Sequence, residues 1–376
     1  MPAQYKVIVS SSAGVKQAEF IDFDWLSYSK RLNTPGKLRF RVGANHNALQ
    51  YMVDKAQVEV YRRNTDPAIA LDWYADFTGI IRDDVPEQTE EGRDIVTLDA
   101  YGPLHMLEWR IIDWKTGTAN RNTFTSAKAE TLMKLLVQYN ITSSATAANG
   151  RNADGTMASP VSISIQTDTA AGNTIGSWNC AYRNLLAELQ SIAKVGGGDF
   201  DLIKTGAATF EFRWYTGQRG TDRRTGASAI KFDTKLGNMA RPKLTRLRSR
   251  VRTRAAVAGR GTDSAREYSS RTANGYVVSS NNVEMFVDAR NLEIGASLSA
   301  EGDAKLAETK LVEDMQFKVV QMPSCYYGKH YLVGGALGDL VKVAYRDYIA
   351  DHKATGVMVS VDEKGEQIEI ESEVYA

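Results

Sequence analysis

GVMVSVDEKGEQIEIESEVY, residues 356–375, reads as a strand, a tight turn and a second strand. Lys364-Gly365 supplies the turn signal between strands expected over Lys353–Asp362 and Glu366–Tyr375. In the last strand Glu369, Glu371 and Glu373 alternate with Ile368, Ile370 and Ser372. A period of two places the three glutamates on one side and the apolar partners on the other. A further strand is expected at Asp339–Tyr345. Upstream, about Ser299–Phe317 has helical spacing, with Ala300, Ala304, Ala307, Leu311 and Met315 on one side. Asp303 falls in the first turn, where a carboxylate suits the helix dipole. Before it come strands expected at Gly275–Ser279 and, after Pro242, at Leu244–Ala258.

The first 115 residues carry the same β signature. Tyr5–Ser10, Leu38–Val42, Gln57–Tyr61, Trp73–Ile81 and Asp94–Ala100 are short, rich in β-branched and aromatic residues, and separated by turn residues. That spacing predicts a barrel or sandwich. The pattern changes near Thr125. Ala129, Leu132, Met133 and Leu136 follow helical spacing, with Ser126 as the expected N-cap. A second helix is expected from about Asn184 to Lys194, with a stripe of Leu185, Leu186, Leu189, Ile192 and Ala193. Gly196-Gly197-Gly198 stops it, and strands follow at Asp199–Lys204 and Ala208–Tyr215. The predicted fold is therefore β-rich α+β: a β-barrel module over 1–115, an α/β insertion over 116–235, and a second β-barrel module over 236–376.

A chain of 376 residues exceeds one ordinary core, which agrees with several domains. Its formal net charge of +1 provides no global field to attract nucleic acid or an acidic membrane. Two distant cysteines, Cys180 and Cys325, give neither a disulfide framework nor metal-ligand spacing and are expected to be buried thiols. No run reaches membrane-spanning length, and the start has no apolar signal core. The expectation is a protein made in a cytoplasm and kept there or carried out within an assembly.

Motifs for catalysis are missing from the sequence. His46, His105, His330 and His352 have no partner at metal-ligand spacing, and no phosphate loop, zinc-protease or nucleophile-elbow pattern occurs. Asn152-Ala153-Asp154-Gly155 opens like a calcium loop without its closing glutamate, so a surface turn is expected. Ser27 and Lys30 have an SxxK spacing that is common by chance. The six tryptophans are scattered and read as core or interface residues. No catalytic residue, cofactor site or metal site is assigned.

The most ordered charge pattern is LTRLRSRVRTR, where Arg246, Arg248, Arg250, Arg252 and Arg254 alternate with other residues. In one strand they would share a face. Two readings stay open. One is a stripe for nucleic acid or another polyanion. The other is an ion-pair or intersubunit stripe, with Glu369, Glu371 and Glu373 as its answering charges. Such cross-strand pairs contribute roughly 0.2–1 kcal/mol each.

Several stretches together resemble one family, the baseplate and tail-tip hub proteins of long-tailed, siphovirus-type phages. The branch is the stand-alone hub of actinophages, related to the N-terminal hub part of tail-associated lysozymes. VRTRAAVAGRGTDSAR (251–266) and EMFVDARNLE (284–293) resemble its phrases. So do EGDAKLAETKLVED, HYLVGGALGDLVKV and GVMVSVDEKGEQIEIE, the family's closing helix, Leu-Gly-Asp turn and hairpin. FTGIIRD, VTLDAYGPLHMLEWR and NLLAELQSIAKVGGGDFDLI resemble its first barrel and middle segment. The inserted Gly-Gly in HYLVGGALGD departs from the family's ending. The resemblance implies a structural virion protein without an active site. It would be a homotrimer at the tail tip, placed between the distal tail protein ring and the tail fibre or receptor-binding protein, near the tape-measure protein and the DNA exit channel. Members that cut cell-wall material carry that activity in an added C-terminal domain, for which the chain leaves no room after ESEVYA. A cell-wall enzyme and a carbohydrate- or polyanion-binding module are the rival readings.

Overall fold

A computed structural model of the chain describes residues 3–115, 123–273, 276, 282–290 and 298–375. The strand expected at Gly275–Ser279 lies outside the described residues except for Tyr276, as do residues 291–293 of the EMFVDARNLE stretch. The chain divides into two compact units, residues 1–243 with 315–376, and residues 244–314.

In order, the strands of the N-terminal part are β1 (Gln4–Ser10), β2 (Lys16–Phe20), β3 (Trp25–Arg31), β4 (Thr34–Gly43), β5 (Gln57–Asn64), β6 (Leu71–Gln88) and β7 (Asp94–Tyr101). A short helix α1 (His105–Glu108) leads to β8 (Thr123–Lys128), α2 (Ala129–Ile141), β9 (Ser162–Ile165), β10 (Thr174–Asn179) and α3 (Leu185–Gly196). Next come β11 (Gly198–Lys204), β12 (Thr209–Thr216), β13 (Lys231–Asp233) and β14 (Met239–Arg246). The second unit holds β15 (Arg254–Ala258), β16 (Tyr268–Thr272), β17 (Glu284–Asp288) and α4 (Leu298–Glu308). The chain closes with β18 (Glu313–Val319), β19 (Leu340–Tyr345), β20 (Tyr348–Asp362) and β21 (Gly365–Val374).

One large sheet runs β14-β18-β21-β20-β3-β4-β7-β6-β5-β1-β2, with β19 and β13 branching from β20. Strands from both expected modules thus belong to one hydrogen-bonded sheet, joined where β20 pairs with β3. Among the described residues the ladder path has two ends, at β14 and β2. Two long strands make this possible. β20 pairs with β19 through Tyr348–Lys353 and with β3 through Gly356–Val361, changing register between Ala354 and Gly356. β6 changes partner in the same way, from β5 to β7 near Ile80. A bulge that kinks the strand lets each one serve two ladders. The core side is apolar and alternates as period two requires: Leu26 and Tyr28, Leu38 and Phe40, Val357 and Val359, Ile368 and Ile370 are all buried.

The middle segment packs α2 and α3 against the hairpin β11–β12 and the parallel edge strand β9. All five residues of the expected α3 stripe are buried. Asn184 caps the helix by accepting the Ala187 N–H at 3.2 Å, and Gly197, at φ 71°, ends it. Ser126 does not cap α2. It lies within β8, and α2 starts three residues later behind Lys128. The helix expected to reach Phe317 is shorter too. α4 ends at Glu308, and Met315, Phe317 and Val319 are buried by strand alternation in β18. Period two, strongest in MQFKV, overrides a helical reading that runs too far.

In the second unit the sheet β16-β15-β17 is covered on one side by α4. Ala255, Val257, Val287, Ala289 and Leu306 form its small core.

Candidate functional site

The densest chemistry lies where β1, β3, β5, β6 and β21 meet the segment 321–339. Val58 and Val60 fill the buried face of β5, and the next two positions on that face are Arg62 and Asn64. Arg62 is fully buried. Its guanidinium donates to Glu366 through Nε at 2.6 Å and Nη2 at 3.0 Å, to the Tyr327 carbonyl at 3.0 Å and to the Tyr326 hydroxyl at 3.0 Å. Tyr5 donates its hydroxyl to Glu366. Burial opposes the charge on Arg62, but Tyr5 and Glu366 outweigh it and hold the guanidinium above its ordinary pKa.

A second buried pair sits beside it. Lys30 donates to the Asp76 carboxylate at 2.5 Å, the Asp76 carbonyl at 2.8 Å and the Gly335 carbonyl at 2.9 Å, so all three ammonium hydrogens are used. Asp76 also accepts from Tyr28 at 2.5 Å and Tyr327 at 2.8 Å. Burial alone would raise the Asp76 pKa, yet the Lys30 charge and the hydrogen bonds from Lys30 and Tyr28 take it below the usual carboxylate range. Gly334-Gly335 has a definite place here. Both residues have positive φ, 61° and 75°, and a Cβ on Gly335 would stand 2.6 Å from Asp76 Oδ1 and 2.7 Å from Lys30 Nζ. Asp339, of the Leu-Gly-Asp turn, binds Arg223 at 2.6 Å and the Leu332 N–H at 2.7 Å.

The Lys30–Asp76 pair borders a cleft of about 350 Å³ that is also lined by Glu59, Asp201, Lys204 and Arg219, among others. Each of those charges has a partner: Lys204 with Glu59 at 3.2 Å, Arg219 with Asp201, and Lys30 with Asp76. The cleft therefore joins the middle segment to the large sheet through internally neutralised charge. Lys353 adds to this joint by binding Asp199 at 2.7 Å.

The sequence-expected charges lie elsewhere. The strand expected over Leu244–Ala258 is two strands, because β14 ends at Arg246 and β15 begins at Arg254, with a turn at 249–250. The five arginines consequently share no strand face. Arg246 pairs with Glu313 at 2.5 Å and Arg254 with Glu284 at 2.5 Å. Arg248 and Arg250 are exposed, and Arg252 donates to the Ser249 and Val251 carbonyls. The glutamates do alternate on β21: Glu369 and Glu373 are exposed, Glu371 is half-buried, and Ile368, Ile370 and Ser372 are buried. Glu371 pairs with Arg31 of β3 at 2.7 Å.

An alternating basic strip does exist, on β4. Lys37, Arg39 and Arg41 share its outer face, and the cross-strand Asp99 receives Arg39 at 2.6 and 2.9 Å and Lys37 at 2.8 Å. Arg41 reaches Glu87 at 3.2 Å. KLRFRV carries this signal openly, since its cations alternate with buried Leu38 and Phe40.

The remaining candidates are structural. Ser27 and Lys30, three apart on a strand, point to opposite faces, so the SxxK spacing makes no dyad. Asp154 accepts the Thr156 N–H at 2.8 Å in a local turn. Among the described residues no group of three or more His, Cys, Asp or Glu is placed to hold a metal, and no helix is long and apolar enough to cross a membrane. Burial pushes the Cys180 thiol up to about 12 and Cys325 up to about 11, so neither is a ready nucleophile.

The fold is one shared with phage tail proteins. The 43 kDa tail protein of prophage MuSo2 from Shewanella oneidensis superposes with a TM-score of 0.60 at 13% identity, covering 98% of each chain. A tail protein from Neisseria meningitidis MC58 gives 0.58 at 11% identity, over 99% of this chain and 96% of that one. A Francisella PdpA-VgrG complex gives 0.56 at 8% identity, over 99% of this chain and 58% of that one. The chain belongs to the family of Siphovirus ReqiPepy6 Gp37-like proteins, whose family pattern matches residues 15–372. None of the curated proteins matches it in sequence.

Proposed function

We propose that this chain, a structural protein of the phage tail or baseplate, is a homotrimeric hub at the tail tip. In this reading it links the distal tail protein ring to the tail fibre or receptor-binding protein. It lies next to the tape-measure protein and surrounds or closes the channel through which phage DNA leaves, so it takes part in host attachment and genome ejection. Residues 1–115 and 236–376 would be the two barrel-type modules, with 116–235 decorating them. No catalytic step is assigned to it. It would be made in the host cytoplasm and act in the virion.

The observation that carries the reading is the family match over residues 15–372, supported by a fold likeness that spans whole tail proteins rather than one domain of them. The interior agrees with a load-transmitting role: its buried polar groups are spent on tying strands and segments together. The charged stripes fit contacts with neighbours. Arg248 and Arg250 are exposed, and Arg246, Arg252 and Arg254 flank them as supporting residues. Glu369, Glu371 and Glu373 offer the opposite charge on a separate strand.

Mass photometry of the purified chain with its distal tail protein tests the reading. A particle of three times the 41.5 kDa chain mass, bound to the distal ring, is expected. Monomer alone at micromolar concentration would overturn it.

A further inference from the structure

The segment 321–339, between β18 and β19, is a strap with little regular structure that carries Cys325, Tyr326, Tyr327, Tyr331, Leu332 and Leu337 into the interior. Most of its staples are blind to pH near neutrality. Tyr326 takes Arg62 and Asn64 on its hydroxyl, and Tyr327 takes Arg62 on its carbonyl and gives its own hydroxyl to Asp76. Lys329 donates to the Ile69 carbonyl and Lys30 to the Gly335 carbonyl. The ordinary pKa values of tyrosine, lysine, arginine and aspartate all lie outside about pH 5–8.

His330 is the exception, since its ordinary value lies inside that window. Its Nδ1 accepts the Tyr326 N–H at 3.1 Å, while the Lys329 and His330 N–H groups return to the Tyr326 carbonyl at 3.2 and 2.9 Å. One tight turn is thus closed on a histidine. An amide N–H can only donate, so Nδ1 is bare and the ring proton sits on Nε2. The charges that face the ring are cations, Lys329 from its own turn and Arg223 from the segment before β13. Arg223 is itself held by Asp339 at 2.6 Å, and Asp66, in the loop that Lys329 reaches, accepts the Ala68 N–H at 3.0 Å. Burial, then Lys329 and Arg223, hold the imidazole below the ordinary histidine range. The strap is also strained, because Leu332, at φ 48°, is a large side chain in the left-handed region.

We propose that His330 is a proton-operated catch for this strap: neutral, it closes the 326–330 turn; protonated, it turns a donor toward the Tyr326 N–H and the turn lets go. The turn carries both strap groups that cap the Arg62 guanidinium, the Tyr326 hydroxyl and the Tyr327 carbonyl. Release therefore loosens the cover over Arg62, while its pair with Glu366 joins β5 to β21 without the strap. The folded pKa is depressed, so the contribution of the catch is fully present above the unfolded value of about 6.5 and is lost as pH falls through the folded value.

Hydrogen exchange of the full chain, read by mass spectrometry and corrected for intrinsic exchange, tests the catch. From about pH 7.5 to about pH 5, protection of residues 326–331 is expected to fall about threefold or more, while protection of β5 holds. His330→Asn puts an amide oxygen near the place of Nδ1, an acceptor that does not titrate, and should keep protection constant over the same range. His330→Ala has no acceptor and should leave the turn open at both ends of the range. An equal loss in wild type and the folded asparagine variant would overturn the proposal. It would move the response to another group, such as His352, which is fully buried between the Tyr348 hydroxyl at 2.8 Å and the Ser372 hydroxyl at 3.1 Å. A fully protected alanine variant would overturn it too. Should the variants fail to fold, NMR titration of His330 in wild type decides: a midpoint below about 6.5 is expected, and one at or above it sinks the catch.

Discussion

Arg31 and Glu371 meet at 2.7 Å across a strand that lies between them, because the residue between them is Gly356. A Cβ there would stand 3.1 Å from Glu371 Oε2, 3.3 Å from Arg31 Cγ and 3.3 Å from the Lys30 carbonyl. The ion pair itself is largely exposed, 60% on the arginine side chain, so it contributes little. The glycine matters more than the charges. Glu371→Ala should cost less than about 1 kcal/mol. Gly356→Val should cost about 1–3 kcal/mol by pressing on the Lys30 backbone as well as on both side chains. Urea unfolding of the two variants separates these outcomes, and equal losses would contradict the account.

The Arg62–Glu366 pair is the opposite case, buried and held by tyrosines. Removing one partner leaves an uncompensated buried charge, so Glu366→Ala should lose about 3–5 kcal/mol. Replacing both with apolar residues, as in Arg62→Met with Glu366→Leu, should recover a good part of that loss. A double-mutant cycle in urea measures the coupling. Additive losses would show that the pair is not the unit of stability proposed.

The contrast between these pairs explains what can be read in the sequence. β1, β4, β5, β6 and β7, the closing hairpin and α3 are legible because apolar residues alternate at period two or recur at helical spacing. β3 gives no comparable signal. In WLSYSKR only Leu26 and Tyr28 mark the inner face, and its third inner position is the buried Lys30. Arg62 is hidden similarly, as the charged continuation of Val58 and Val60. A strand that ends its apolar face on a paired charge looks solvent-exposed until its partner, separated by 304 residues in the case of Glu366, is known. The arginine stripe misleads for the converse reason. Perfect alternation over Arg246–Arg254 is interrupted by a turn, and five like charges side by side on one face would have to be answered by neighbours that the fold places elsewhere.

Acid should weaken the fold through Asp76. Its folded pKa is depressed, so it contributes stability that is fully present above the unfolded value of about 3.9 and is lost as pH falls through the folded value. Asp76→Asn removes the contribution. The stability gap between wild type and variant should therefore be widest near neutrality and shrink below about pH 4. Denaturant melts from about pH 7 to about pH 2 measure it. A gap that stays constant over that range would assign the loss to packing rather than to charge.

The Gly334-Gly335 pair gives the sharpest comparison, since its two members have the same sign of φ and different surroundings. At Gly334, with φ 61°, an added Cβ would find no atom within 4 Å, so Gly334→Ala meets only the left-handed backbone cost of roughly 1–2 kcal/mol. Gly335, at φ 75°, would add to that cost a Cβ inside the Lys30–Asp76 pair. Neither atom of that pair can retreat freely, because Asp76 is held by Tyr28 and Tyr327 while Lys30 is held by the Gly335 carbonyl itself. Gly335→Ala should therefore lose at least about 2 kcal/mol more than Gly334→Ala, the scale of a disturbed buried charge. It should also lower the stability gap produced by Asp76→Asn, since the same pair is already disturbed. Equal melting temperatures for the two alanine variants would mean that the segment moves aside, and that the pair does not need the turn to hold it.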